Sequence, residues 1–144
     1  MKKVIYLTAL MGVALGLLTA CDKESIVSVD GLPANAQTYI TQHFPSYEIL
    51  QVIKERDDLK TTYEVYLSEG YHLDFDKKGS ILGIEGTNKL PDSVVPEKIL
   101  AYVEATYPSE FILDWELDSR RQEIKLSNRM ELEFDLNGNF LRID

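Results

Sequence analysis

One pattern occurs twice in this chain. Leu32-Pro33, Phe44-Pro45 and the run from Leu73 to Gly79 (LDFDKKG) return as Val95-Pro96, Tyr107-Pro108 and the run from Leu132 to Gly138 (LEFDLNG). Two copies of one supersecondary unit are predicted, each too small to bury a core alone. The spacing places unit one at residues 32–86 and unit two at 95–144, with Gly86 to Val94 between them.

Each unit opens on a helical stripe. Pro33 suits a first helical position, where its missing N–H costs nothing. Ala36, Tyr39, Ile40, His43 and Phe44 follow at i, i+3, i+4, i+7 and i+8, and Pro45 stops the helix. At a constant offset of 63, Pro96, Ile99, Tyr102, Val103, Thr106, Tyr107 and Pro108 repeat the design. The period then changes from 3.6 to 2. Leu50 and Val52 form one alternating run. Tyr63, Val65 and Leu67 form a second, Tyr71, Leu73 and Phe75 a third, and Ile81 to Glu85 closes the unit. Leu113 and Trp115, Ile124 and Leu126, Met130 to Phe134, and Phe140 to Ile143 are their counterparts, at an offset of 59 from Leu67 onward. Unit two is thus four residues shorter, at the place where unit one carries Arg56 to Lys60. The expected fold is α+β: a tandem helix-plus-four-strand meander forming one eight-stranded antiparallel sheet. Both helices cover its apolar face.

The N-terminus is of another kind. Lys2 and Lys3 precede an apolar run from Val4 to Leu18, shorter than the roughly 20 residues a membrane span needs. Residues 1–20 read as a signal peptide. Leu18-Thr19-Ala20-Cys21 resembles the lipobox of bacterial lipoproteins, which implies lipidation at Cys21 and a chain anchored in the cell envelope. Residues 21–31 are expected to be a tether. Asp22, next to the lipidated position, leaves open whether the protein faces the periplasm or the outer-membrane surface. Cys21 is the sole cysteine, so no disulfide framework or thiol-based metal or redox site forms. Removing residues 1–20 also removes Lys2 and Lys3, leaving 13 basic against 24 acidic side chains, a charge of −11. Such a surface disfavours nucleic acid and anionic lipid as partners.

The LP-started helix ending in FP, the strand Tyr63-Glu64-Val65-Tyr66-Leu67 and the Leu73–Gly79 hairpin resemble one known group. They are similar to the PepSY-like, β-lactamase-inhibitor-protein-like periplasmic lipoproteins of Bacteroides-type bacteria. The likeness spans residues 32–144; unit two departs from it with Val95-Pro96 and the Gln122–Leu126 strand. It implies a helix-backed sheet whose open face is available to a partner, without implying β-lactamase inhibition.

On that open face the alternation places Gln51, Glu64, Tyr66, His72 and Asp74 from unit one. Unit two supplies Asp114, Glu116, Glu123, Lys125, Glu131 and Glu133. Carboxylates on neighbouring strands repel one another, and a basic protein patch, a peptide or a cation relieves that repulsion. The competing reading is a solvated acidic face that keeps the protein soluble. Glu64, Tyr66, His72, Asp74, Asp114, Glu116, Glu131 and Glu133 are the candidate partner-binding residues. Glu133-x-Asp135-x-Asn137-Gly138 looks like half an EF-hand loop. Its flanks are strands, and unit one has Lys78 where an oxygen ligand belongs, so a hairpin turn is favoured over calcium. Catalysis finds no support: His43 lies on the helix stripe, and no GxSxG, HExxH or phosphate loop is present. The expected function is a non-enzymatic envelope module that binds a protein or peptide and needs no cofactor. The alternatives are calcium or ligand sensing, and a structural role without a discrete site.

Overall fold

Nine antiparallel strands follow one another in chain order, each hydrogen-bonded to the next. The computed structural model describes residues 23–144. Cys21 and the signal peptide therefore lie outside the described residues. The elements are β1 (Lys23–Ile26), α1 (Ala34–His43), β2 (Ile49–Arg56), β3 (Thr61–Leu67), β4 (Tyr71–Asp76) and β5 (Ile81–Gly86). They continue with α2 (Glu97–Thr106), β6 (Ile112–Leu117), β7 (Arg121–Leu126), β8 (Glu131–Asp135) and β9 (Phe140–Ile143).

The two expected units are both present, and β5 pairs with β6 to join them into a single sheet. Nine strands replace the expected eight because Lys23–Ile26, read as tether, pairs antiparallel with Arg56–Ile53 of β2. A short 3-10 turn over Val29–Gly31 then leads to α1. All four residues of β1 are exposed, so this edge strand buries no face and carries no alternation for sequence reading to detect.

Both helices lie against the apolar face of the sheet. Ala36, Ile40 and Phe44 from α1 and its end, and Ile99 and Val103 from α2, join Val65, Leu73, Phe75, Ile84, Ile124, Leu132 and Phe134 in one buried cluster. The packing repeats as faithfully as the sequence. Tyr39 meets Phe75 edge-on at 5.8 Å, and Tyr102 meets Phe134 edge-on at 5.4 Å. Such aromatic pairs add about 0.5–1.5 kcal/mol beyond their buried area. Pro33 and Pro96 stand at the N-cap, one position before the first helical residues Ala34 and Glu97, rather than at the first helical position expected of Pro33. Tight turns repeat too. Asp76 accepts hydrogen bonds from the backbone N–H of Lys78 and Ser80, and Asp135 accepts them from Asn137 and Asn139.

Leu50 departs from the expected inward set. A register shift between Ile49 and Gln51 inserts it as an extra residue, and it is 63% exposed while Val52 stays buried. The same irregularity falls between Ile112 and Asp114 in unit two. Past each shift the alternation resumes, with Gln51 and Ile53 on the open face in unit one and Asp114 and Glu116 in unit two.

Candidate functional site

Strand register turns the acidic open face into an ordered row. Glu64 lies opposite Asp74, Asp74 opposite Gly83, Gly83 opposite Glu116, Glu116 opposite Glu123, and Glu123 opposite Glu133. Six adjacent strands thus contribute one line of side chains, five of them carboxylates, interrupted only by Gly83. A parallel row runs beside it: Tyr66, His72, Glu85, Asp114, Lys125 and Glu131 are successive cross-strand partners. All eight candidate partner-binding residues therefore fall in two neighbouring rows.

The two halves of the face handle this charge differently. In unit two, Asp114, Glu131 and Glu133 are held by cations. Lys125 lies 3.4 Å from Asp114 and 3.1 Å from Glu131. Glu133 is only 3% exposed, with Arg121 at 2.7 Å and Arg142 at 2.9 Å from its two oxygens. Glu133 therefore stands on the predicted face, but its carboxylate is enclosed by two guanidinium groups and is not free to meet a partner. Glu123 in the same half remains without a Lys or Arg partner, and burial beside Glu131 and Glu116 raises its pKa.

In unit one the organising group is His72. Its ring stacks on Tyr66 with centroids 4.4 Å apart. Nε2 sits 3.3 Å from Asp74 Oδ1 and 3.8 Å from Glu64 Oε2, and Nδ1 lies 4.0 Å from Glu85 Oε2. Tyr66 donates its hydroxyl to Glu64 at 2.9 Å, which fixes that carboxylate and raises the tyrosine pKa. Asp74 has its pKa raised, first by desolvation; His72 opposes the shift, while Glu64, Glu85 and Glu116 add to it. Among the described residues no Lys or Arg lies within ion-pair distance of Glu64, Asp74, Glu85 or Glu116.

A cleft of about 350 Å³ opens between these halves, over Gly83, with Glu64, Asp74, Glu116 and Glu123 among its walls. Gly83 contributes no side chain, so the carboxylates on either side of it face the same space. Like charges directly opposed on a sheet are destabilising. The arrangement therefore favours anything cationic that enters the cleft.

His43, the other histidine, is remote from this face. Its Nδ1 lies 2.9 Å from the Ser93 hydroxyl and its ring packs on Tyr39, as expected for a structural histidine. The half-EF-hand turn is a hairpin turn: Asp135 is occupied by the backbone N–H groups of Asn137 and Asn139 and by the Asn139 side chain. Sequence reading missed Glu85, Arg121 and Arg142. The signal for the two arginines was present in the repeat, since the offset of 59 sets Arg121 against Thr62 and Arg142 against Gly83.

A family model of PepSY-like, β-lactamase-inhibitor-like proteins matches the chain twice, over residues 18–83 and 61–142. The chain belongs to this family. Proteins of known structure share its architecture. A Bacteroides thetaiotaomicron protein described as a "putative calcium-regulated periplasmic protein" is 36% identical with a TM-score of 0.81, over 84% of this chain and 96% of its own. A Bacteroides vulgatus periplasmic protein of the DUF2874 family is also 36% identical, with a TM-score of 0.81 over 86% of this chain and 98% of its own. Another from the same species, of unknown function, is 30% identical with a TM-score of 0.80, over 85% and 99%. No curated protein matches the chain. The fold and the duplicated unit expected from the sequence are thus those of the family.

Proposed function

We propose that this chain is a non-enzymatic, lipid-anchored protein of the cell envelope that binds a protein or peptide through its open sheet face. The observation that carries the reading is the carboxylate row across the joint between the units: Glu116 and Glu123 face a cleft and, among the described residues, neither has a Lys or Arg within ion-pair distance, the Arg121 on the cleft wall being engaged by Glu133. A docking segment bearing Lys or Arg relieves the repulsion between those carboxylates, so binding gains from charge already assembled on a rigid sheet. Lys125, Tyr66 and Glu131 stand in the neighbouring row and supply hydrogen-bonding groups to such a segment. Anchoring rests on Leu18-Thr19-Ala20-Cys21 and agrees with relatives described as periplasmic.

The test is capture from envelope extract by the wild-type domain and by Glu116→Lys/Glu123→Lys. Reversing these charges removes the attraction while keeping the helices and every residue of the His72 cluster in place, so the variant should lose partners that the wild type holds. Retention of every partner overturns the reading. A Cys21→Ser variant is expected to leave the membrane fraction, and protease treatment of intact cells separates periplasmic from surface exposure. Calcium sensing is the second reading, favoured by the Bacteroides thetaiotaomicron relative's description. A melt with millimolar calcium that shows no shift removes it.

A further inference from the structure

The duplication supplies its own control for what unit one lacks. At the offset of 59, Glu64 and Asp74 correspond to Glu123 and Glu133, His72 to Glu131, Thr62 to Arg121 and Gly83 to Arg142. Unit two closes its copy with two guanidinium groups on Glu133. Unit one keeps the carboxylates, has uncharged Thr62 and Gly83 in place of the two arginines, and adds an imidazole in the middle. Its Nε2 is enclosed, yet makes no hydrogen bond to any described residue. From the Glu64–His72–Asp74 arrangement we infer a site for a divalent cation of the zinc class, in the position where unit two uses its own arginines.

The distances favour an ion over a hydrogen-bonded triad. Zinc bonds of about 2.0–2.2 Å at tetrahedral angles set neighbouring ligand atoms about 3.3–3.5 Å apart. Nε2 lies 3.3 Å from Asp74 and 3.8 Å from Glu64, and ligand atoms of all three residues fall within 4.8 Å of one another. These spans bracket one ion and leave no room between the three atoms for a guanidinium fork. A nitrogen donor with two carboxylates selects zinc-class metals over calcium, which takes six to eight oxygens. The outer groups are in place. Tyr66 holds Glu64 through its hydroxyl and stacks on the His72 ring, and Glu85 stands on the Nδ1 side. The cleft over Gly83 gives access and a free position for water or a partner's donor atom.

The test is titration calorimetry of the chain without its signal peptide, β1 retained, with Zn²⁺ and with Ca²⁺, for wild type, His72→Gln, Asp74→Asn and the unit-two control Glu131→Gln. Wild type and the control should bind one Zn²⁺ equally, and His72→Gln and Asp74→Asn should each weaken binding by roughly tenfold or more. Imidazole nitrogen spectra of wild type, with His43 as internal reference, should show only Nε2 of His72 shifting on addition of Zn²⁺. This second readout needs no variant to fold. Undiminished Zn²⁺ binding by His72→Gln, an unmoved His72 resonance, or tighter binding of Ca²⁺ than Zn²⁺ overturns the inference. The partner reading is tested on Glu116 and Glu123, so either can fail alone.

Discussion

Replacing both Arg121 and Arg142 by alanine strands the Glu133 carboxylate, which is 3% exposed and faces Glu123 across the strand pair. Breaking a buried ion pair from one side costs about 3–5 kcal/mol, because the remaining charge has lost its partner but not its burial. Two features place Glu133 toward the lower end. Arg121 and Arg142 are 43% and 59% exposed, so water already reaches the pair, and their removal opens the carboxylate further. About 3 kcal/mol is expected. At about 4 °C per kcal/mol for a domain of this size, the melting temperature should fall by roughly 12 °C. Adding Glu133→Gln to the double variant removes the stranded charge and should restore more than half of the loss. The assay is thermal unfolding by circular dichroism at neutral pH and low salt. A double variant that melts within about 3 °C of wild type, or a Glu133→Gln addition that restores nothing, refutes the argument that these arginines neutralise the second half of the face.

Three further outcomes follow from particular contacts. Gly79→Ala should cost more than Gly138→Ala in urea unfolding. Both have positive φ, but a Cβ at Gly79 meets the Ala36 backbone nitrogen at 2.6 Å, whereas at Gly138 it meets the Lys98 Cβ at 3.2 Å. Gln122→Leu should lower stability by about 1–3 kcal/mol and alter the emission of Trp115, whose buried Nε1–H donates to the Gln122 side chain at 3.0 Å. Stability against pH should pass through a maximum on the acid side of neutral. Asp74 and Glu123 have folded-state pKa values above their ordinary values of 3.8 and 4.5, so their charge weakens the fold at neutral pH, and that penalty is relieved as pH falls through the raised values. Asp76 and Asp135 have lowered values, set largely by hydrogen bonds in their turns. Their contribution is present above 3.8 and is lost as pH drops through the lowered values. A melting temperature that falls monotonically from pH 7 downward contradicts this ordering.

Much of the fold was legible because burial imposes a period. Tyr39 and Tyr102, or Phe75 and Phe134, recur at fixed offsets since each copy must seal the same helix against the same strands. Lys23–Ile26 escaped for the opposite reason: an edge strand exposed at every residue is selected for backbone pairing alone, which any side chain permits. Leu50 was misplaced because one extra residue at a bulge reverses the face of an apolar side chain without changing its identity. On the open face, alternation placed most of the carboxylates but missed Glu85, and it did not show which of them are neutralised. Neutralisation depends on cross-strand register. Arg142 on β9 reaches Glu133 on β8, and nothing in the local pattern of either strand announces that pairing. Register also brings Glu116 and Glu123 face to face across the β6–β7 pair, within the row that spans both units.

The claim that the open face is where a partner docks is tested most directly by site-specific photocrosslinking in intact cells. A photoreactive phenylalanine analogue at Tyr66, half-buried on the open face, is compared with the same analogue at Thr41, exposed on the outer side of α1. The account predicts a discrete crosslinked product from position 66, diminished by Glu116→Lys/Glu123→Lys, and none from position 41. A product from position 41 with none from position 66 would place the contact on the helical side and contradict it.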